Sequence, residues 1–331
     1  MTVSLALRDH RRIPAETRER IKALALQMGY QPDPALSALM AYRHERRTVR
    51  EYGTLAFLTN FPTADGWKTQ VFITRYLDGA MQRAKELGYR IDLFWLRQPG
   101  MTPRRMAQIL SARGIKGLLV APMPAAAAVL ELDWDRFCAV SLCKNLVSPY
   151  LNVVDHHHHQ SMALAWREAR RRGYRRVGYV IREYAENITG RMWLATFLME
   201  QRRPERPRQE KMTEPLVTDR WRRETFQRWL KREKPDVIIS PDIIVGTWLE
   251  ELGRAVPGDV GFIWLEAEAG GPLTGVCQHF EHVGIAAVDL LHLDLLRSAY
   301  GIPSFRHALG IDGSWIEGET LRPAPEGAPA P

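Results

Sequence analysis

From Gly53 onward, short apolar runs alternate with stretches of helical periodicity, and this alternation restricts the chain more than any other feature. GTLAFL (53–58) is an apolar run bounded by Gly and Asn, the pattern of a buried strand. Residues 70–88 then place Phe72, Tyr76, Ala80, Ala84 and Leu87 at helical spacing, and Gly88 stops the helix. The same reading gives strands at 90–96, 117–121, 137–142, 176–181, 236–240 and 260–265. Helices are expected at 103–112, 124–131, 160–172, 190–201, 220–232 and 243–253. Strands separated by helices join through right-handed crossovers into a parallel sheet covered on both faces. A stretch of this length exceeds one comfortable doubly wound unit, so two α/β subdomains with a cleft between them are expected over 53–322. Parallel sheets bind small ligands at the carboxyl ends of their strands, which makes that cleft the expected ligand site.

The first fifty residues show no strand pattern. Residues 2–8 form a short helical piece, and Pro14 stands where a helix can begin, because its missing N–H would be unpaired there in any case. The helix it opens has Ile21, Leu24, Ala25 and Met28 on one face, Glu16 and Glu19 early, and Gly29 at its end. Residues 30–34 make a rigid extended turn, 35–43 a short apolar helical segment and 44–52 a charged linker. The tail 323–331 is rich in Pro and Ala, has nothing to pack and is expected to be disordered.

The formal charge of +8 is unevenly spread. Residues 1–50 carry ten Lys/Arg against five Asp/Glu, residues 164–234 twenty against ten, and residues 235–331 four against fourteen. The first basic block suits nucleic acid. The run REARRRGYRR (167–176) reads more simply as a solvated helix face. No run of eighteen apolar residues marks a membrane span, and no apolar core follows the basic start as a secretory signal would require. Cys138, Cys143 and Cys277 are too few for a disulfide framework and point to a reducing cytoplasm. GxSxG, HExxH, P-loop and GxGxxG patterns are absent, so the sequence offers nothing for catalysis and calls for no cofactor.

The segment TVSLALRDHRRIPAETRERIKALALQMGYQPDP resembles the DNA-binding head of the LacI family of bacterial transcription repressors. Thr2, Val3, Ser4 and Leu7 match that family's recognition helix, and Thr17, Arg18, Ile21, Ala25, Gly29, Tyr30 and Pro32 match the segment after it. Leu39 falls where relatives place a leucine that wedges into the minor groove, an apolar device that unstacks a base step and kinks the duplex. VPGDVGFIWLE (256–266) and PLTGVCQHFEHVG (272–284) are similar to two further family segments. The resemblance implies a repressor that binds operator DNA as a homodimer, since two recognition elements on a pseudo-palindrome require two-fold symmetry. It implies DNA contacts from Thr2, Ser4, Leu5, Arg8, Tyr30, Leu36 and Leu39, with Leu36 open to either wedging or packing on the domain below. Its effector domain would resemble periplasmic sugar-binding proteins and hold a small, sugar-like ligand through Asp155, Arg191, Asp242, Glu266 and Gln278.

Several positions depart from the pattern. The match begins inside the recognition helix, so either the natural start lies upstream of Met1, or operator binding is lost and a cytoplasmic ligand-binding protein remains. Leu5 stands where relatives often carry a base-contacting Arg, Asp33 where Asn is usual, and Leu36-Ser37 in place of Ala-Arg. In the effector portion Pro241 replaces an Asn and Glu266 an Asp, which points away from a typical sugar. The run Asp155-His156-His157-His158-His159 is expected to be a polar cleft loop at the crossover between units rather than a metal site, because consecutive imidazoles diverge.

Overall fold

The computed structural model describes residues 13–27, 53–203 and 211–324. Thr2, Ser4, Leu5, Arg8, Tyr30, Leu36 and Leu39 lie outside the described residues, as do the apolar segment 35–43 and the linker 44–52. Helix α1 (Ala15–Gln27) begins directly after Pro14 with Glu16 in its first turn, as its capping pattern requires. Ile21 and Ala25 on its apolar side are half-buried and Leu24 is exposed.

The sheets explain the apolar runs. In the first lobe β1 (Gly53–Thr59), β2 (Tyr89–Trp95), β3 (Gly117–Val120), β5 (Cys138–Ser141), β7 (Asn152–His156) and β13 (Ala308–Ile311) stand in the order β13-β7-β5-β3-β1-β2, parallel throughout. In the second lobe β8 (Val177–Ile181), β9 (Leu216–Val217), β10 (Val237–Ser240), β11 (Gly261–Trp264), β12 (Gly275–Cys277) and β14 (Ser314–Ile316) stand in the order β14-β12-β11-β10-β8-β9. Only the β12–β14 pair is antiparallel there. Strands such as β3, β5 and β10 are buried along their whole length, which is why they read as unbroken apolar runs. Helices α2 (Val71–Glu86), α3 (Pro103–Ala112), α4 (His158–Arg171), α5 (Glu183–Ile188), α6 (Met192–Gln201), α7 (Arg223–Glu233), α8 (Ile244–Glu251) and α9 (Phe280–Arg297) cover the faces.

The lobes are not consecutive in sequence. The chain leaves the first sheet after β7, returns from β12 through Gln278 into α9, and crosses once more between β13 and β14. Helix α9 packs on α2 at very short range. A Cβ on Gly79 would lie 2.0 Å from the Glu281 carbonyl oxygen, and one on Gly284 would lie 1.9 Å from that of Tyr76. Only glycine permits this backbone approach. It brings the Tyr76 and Phe280 rings to 5.9 Å at the first-lobe wall of the cleft.

The structure corrects two expectations and adds elements that the sequence did not show. Residues 124–131, expected as a helix from their alanines, instead form turns and the short strand β4 (Ala128–Val129), which pairs in parallel with β6 (Leu146–Ser148). The Asn145 amide nitrogen donates to the Met123 and Ala125 carbonyls, so tertiary pairing overrides alanine's helical preference. Strand β7 and helix α5 were not anticipated, nor were α9, β12, β13 and β14, which complete both lobes. The basic run 167–176 is not a uniformly solvated face. Arg172 and Glu168 are both buried and paired, Arg172 also meets Glu317, and Arg171 joins Glu168 at 2.8 Å. No helix among the described residues is long and apolar enough to cross a membrane.

Candidate functional site

A cavity of about 380 Å³ opens between the lobes, within the usual range for a small-ligand site. Its polar lining comes from residues just beyond the carboxyl ends of strands. Cys143 follows β5, Asp155 lies at the end of β7, Arg182 follows β8, Asp242 follows β10, Glu266 follows β11 and Gln278 follows β12. Between parallel strands those ends are open to ligand, because the crossover helices start there. Aromatic walls come from Phe72 and Tyr76 of α2, Phe280 of α9, Tyr184 of α5, Trp193 of α6 and Trp264 of β11.

Asp242, Glu266, Gln278 and Asp155 line this one cavity. Arg191 does not. It caps α6 in a left-handed conformation (φ 60°), and its guanidinium turns onto Asn187 Oδ1 at 3.0 Å and Glu183 Oε1 at 3.2 Å. The guanidinium in the lining is that of Arg182, which donates from Nε and Nη2 to the two oxygens of Asp242 at 3.0 and 2.9 Å. This two-pronged pair fixes the Asp242 carboxylate in one plane. Gln278 is buried and donates its amide to the Leu265 carbonyl, so it holds the segment that presents Glu266. The Pro241 carbonyl accepts from the Trp264 indole at 2.9 Å and so sets that ring in the wall.

The carboxyls differ in surroundings. Asp155 is 2% exposed and accepts from the backbone N–H groups of His156 at 2.8 Å and Lys144 at 3.2 Å. Burial nonetheless outweighs these bonds and the Lys144 charge, and pushes its carboxyl up to about 6. Glu266 has no hydrogen bond or ion pair among the described residues, and burial, with Asp242 second, raises it to about 7. Burial drives His158 well below the ordinary imidazole range, so it stands neutral. Its Nδ1 and the Trp193 Nε1 are buried without a partner, and the two rings meet edge to face at 4.9 Å. Buried polar atoms of this kind are normally satisfied, and here both belong to cavity-lining side chains.

The histidine run divides its work. His156 Nε2 meets the Ser161 hydroxyl, His157 Nδ1 meets Asp312 at 2.6 Å, His158 lines the cavity and His159 Nδ1 meets Thr196 at 2.8 Å. His157 and Asp312 thus tie two of the three interlobe crossovers together, and Gln160 exchanges two hydrogen bonds with the Gly313 backbone at the same place. No cluster of His, Cys, Asp and Glu suited to a metal ion occurs among the described residues. The lobes also touch at the mouth of the cleft. Arg75 of α2 reaches Glu268 beyond β11 at 3.1 Å while Nε binds Glu281 at 2.6 Å. The Tyr184 hydroxyl donates across the cleft to the Pro124 carbonyl at 3.0 Å.

No family model matches the chain, and no curated protein matches it. Solved structures do. The transcriptional regulator CelR in complex with cellobiose superposes with a TM-score of 0.59 at 17% identity, over 96% of this chain and 95% of that one. The lac repressor dimer bound to operator and the anti-inducer ONPF gives 0.57 at 15%, over 97% and 95%. A LacI family transcriptional regulator from Enterococcus faecium with bound ribose gives 0.56 at 13%, over 82% and 99%. At such identities the likeness establishes the fold: two parallel-sheet lobes of the type these regulators share.

Proposed function

We propose that the chain is a ligand-responsive transcription regulator of the LacI family. It binds operator DNA as a homodimer in the cytoplasm, with an affinity set by a small molecule in the interlobe cleft. The observation that carries this reading is the cleft itself. Both sheets direct their strand ends into one aromatic-walled cavity, and the first lobe begins at Gly53, directly after the segment that bears the recognition-helix and hinge motifs. The fold likeness to regulators solved with sugars or on operator supports it. Asp155, Asp242, Glu266 and Gln278 act at the ligand, with Arg182 in place of Arg191, and Thr2, Ser4, Leu5, Arg8, Tyr30, Leu36 and Leu39 act at DNA. No catalysis is assigned.

The mechanism follows from the hinge. Ligand contacts come from both lobes, so binding favours one degree of closure over others by the difference in contact energy between them. Closure turns the lobes about the three crossovers, two of which His157, Asp312, Gln160 and Gly313 bind together. In a dimer this changes the spacing of two hinge segments, and a helix-turn-helix pair reads half-sites only at fixed spacing. A gel-shift titration of the full chain on its own promoter region at 150 mM salt, against excess unrelated duplex, tests the proposal. A sequence-selective shift is expected. Equal affinity for both duplexes refutes it, because the phosphate contribution alone carries no sequence information.

A further inference from the structure

We propose that the cleft ligand is a protonated amine on a flat apolar or sugar-like body, its ammonium seated between Asp155 of the first lobe and Glu266 of the second. The inference rests on the cleft being the effector site and adds the ligand's charge. The lining contains three carboxyls, Asp155, Asp242 and Glu266, against one guanidinium, and Arg182 spends that on Asp242. Asp155 receives only backbone N–H groups at hydrogen-bond distance and Glu266 receives nothing among the described residues. Two carboxyls therefore line the cavity with no ion pair to a lysine or arginine among the described residues, and the neutral His158 has its Nε2 3.7 Å from Asp155 Oδ1 and its ring against Trp193.

An anionic ligand would meet this charge as repulsion, and no lysine lines the cavity to receive it. A neutral polyol would hydrogen-bond to the carboxyls but leave their desolvation uncompensated. An ammonium neutralises it, and the faces of Phe72, Tyr76 and Phe280 add the attraction that aromatic quadrupoles offer a cation. Trp193, a cavity-lining residue only 4% exposed, leaves its Nε1 without a hydrogen-bond partner among the described residues, a donor that an acceptor atom beside the amine, such as a hydroxyl, would suit. The placement of the carboxyls on opposite lobes gives the charge a further role. A cation seated between them attracts a carboxyl of each lobe and so favours the closed arrangement.

Calorimetric titration of the full chain with matched pairs tests this: tyramine against tyrosol at pH 8, and D-glucosamine against D-glucose at pH 6.5. Each pair differs at one position, amine against hydroxyl. The amine of at least one pair is expected to bind about tenfold or more tightly than its partner. Glu266→Gln and Asp155→Asn should each shrink the ratio of amine to neutral affinity by about tenfold, the ratio being read within each variant so that any change in the neutral partner's own affinity cancels. Equal or tighter binding of the neutral members, an amine affinity untouched by either substitution, or no binding by either amine overturns the proposal. Selective DNA binding is measured separately, so a neutral sugar that binds refutes the charge assignment and leaves the regulator reading standing. Loss of DNA selectivity does the reverse.

Discussion

Replacing Glu266 with glutamine should stabilise the ligand-free protein, and more so as pH rises. Burial first, and the Asp242 charge second, push the Glu266 carboxyl from 4.5 up to about 7, against the opposing pull of Arg182 and Arg75. An acid whose folded pKa is raised holds more protons folded than unfolded between those two values. Its contribution is therefore fully present below about pH 4.5 and is lost as pH rises through 7. At about 1.4 kcal/mol per pH unit, the full displacement is worth at most about 3 kcal/mol, reached near pH 8.5. Glutamine keeps the shape and removes the charge, so the variant escapes this loss. Urea unfolding at pH 4.5, 6.5 and 8.5 reads the difference, provided both proteins share one slope. The variant should match the native protein at pH 4.5 and exceed it by about 2–3 kcal/mol at pH 8.5. A gap that does not change with pH, or a less stable variant at pH 8.5, would show that Glu266 is not a desolvated, unpaired acid.

Three more outcomes follow from the same coordinates. Gly284→Ala forces a Cβ to 1.9 Å from the Tyr76 carbonyl oxygen, so unfolding free energy should drop by about 3 kcal/mol; a loss below about 1 kcal/mol would mean that the α2–α9 contact yields easily. Glu168→Ala leaves the Arg172 guanidinium buried with only Glu317, and should cost about 3 kcal/mol in the same assay; a neutral result would show that Glu317 alone suffices for the buried guanidinium. Glu268→Ala removes the interlobe partner of Arg75, but Glu268 is 61% exposed on its side chain. Stability should change by less than about 1 kcal/mol, while small-angle scattering should report a wider ligand-free particle. An unchanged scattering profile would show that this contact does not hold the lobes.

The sequence made the alternation of layers legible because strands buried on both faces must be continuously apolar, and β1, β3, β5, β8, β10 and β11 are. The site was legible mainly through the family resemblance, which singles out Asp242, Glu266 and Gln278; the strand pattern adds that Asp242 and Glu266 stand just beyond strand ends facing the cleft, while β12, which carries Gln278 at its end, has no such pattern. Arg182 went unread although it is the first residue beyond a strand expected to end at 181, because the family pattern singles out Arg191, which stands at the start of α6. Three things were hidden. The alanines of 124–131 favour a helix locally, and only Asn145, some twenty residues on, dictates otherwise. Helix α9 carries apolar residues around most of its circumference because it lies between α2 and the first sheet, so no single face stood out. The return of α9 and β13 to the first lobe is a matter of long-range pairing that no local pattern encodes.

In the proposed regulator, occupancy of the cleft sets the affinity for DNA. Fluorescence anisotropy of a labelled promoter fragment at 150 mM salt, with and without a saturating amine from the matched pairs, measures the coupling between the two sites directly. A change of about fivefold or more in the DNA dissociation constant is expected, in line with ordinary allosteric coupling, and its disappearance in Glu266→Gln. An amine that calorimetry shows to occupy the cleft, yet leaves the DNA dissociation constant unchanged, would contradict it.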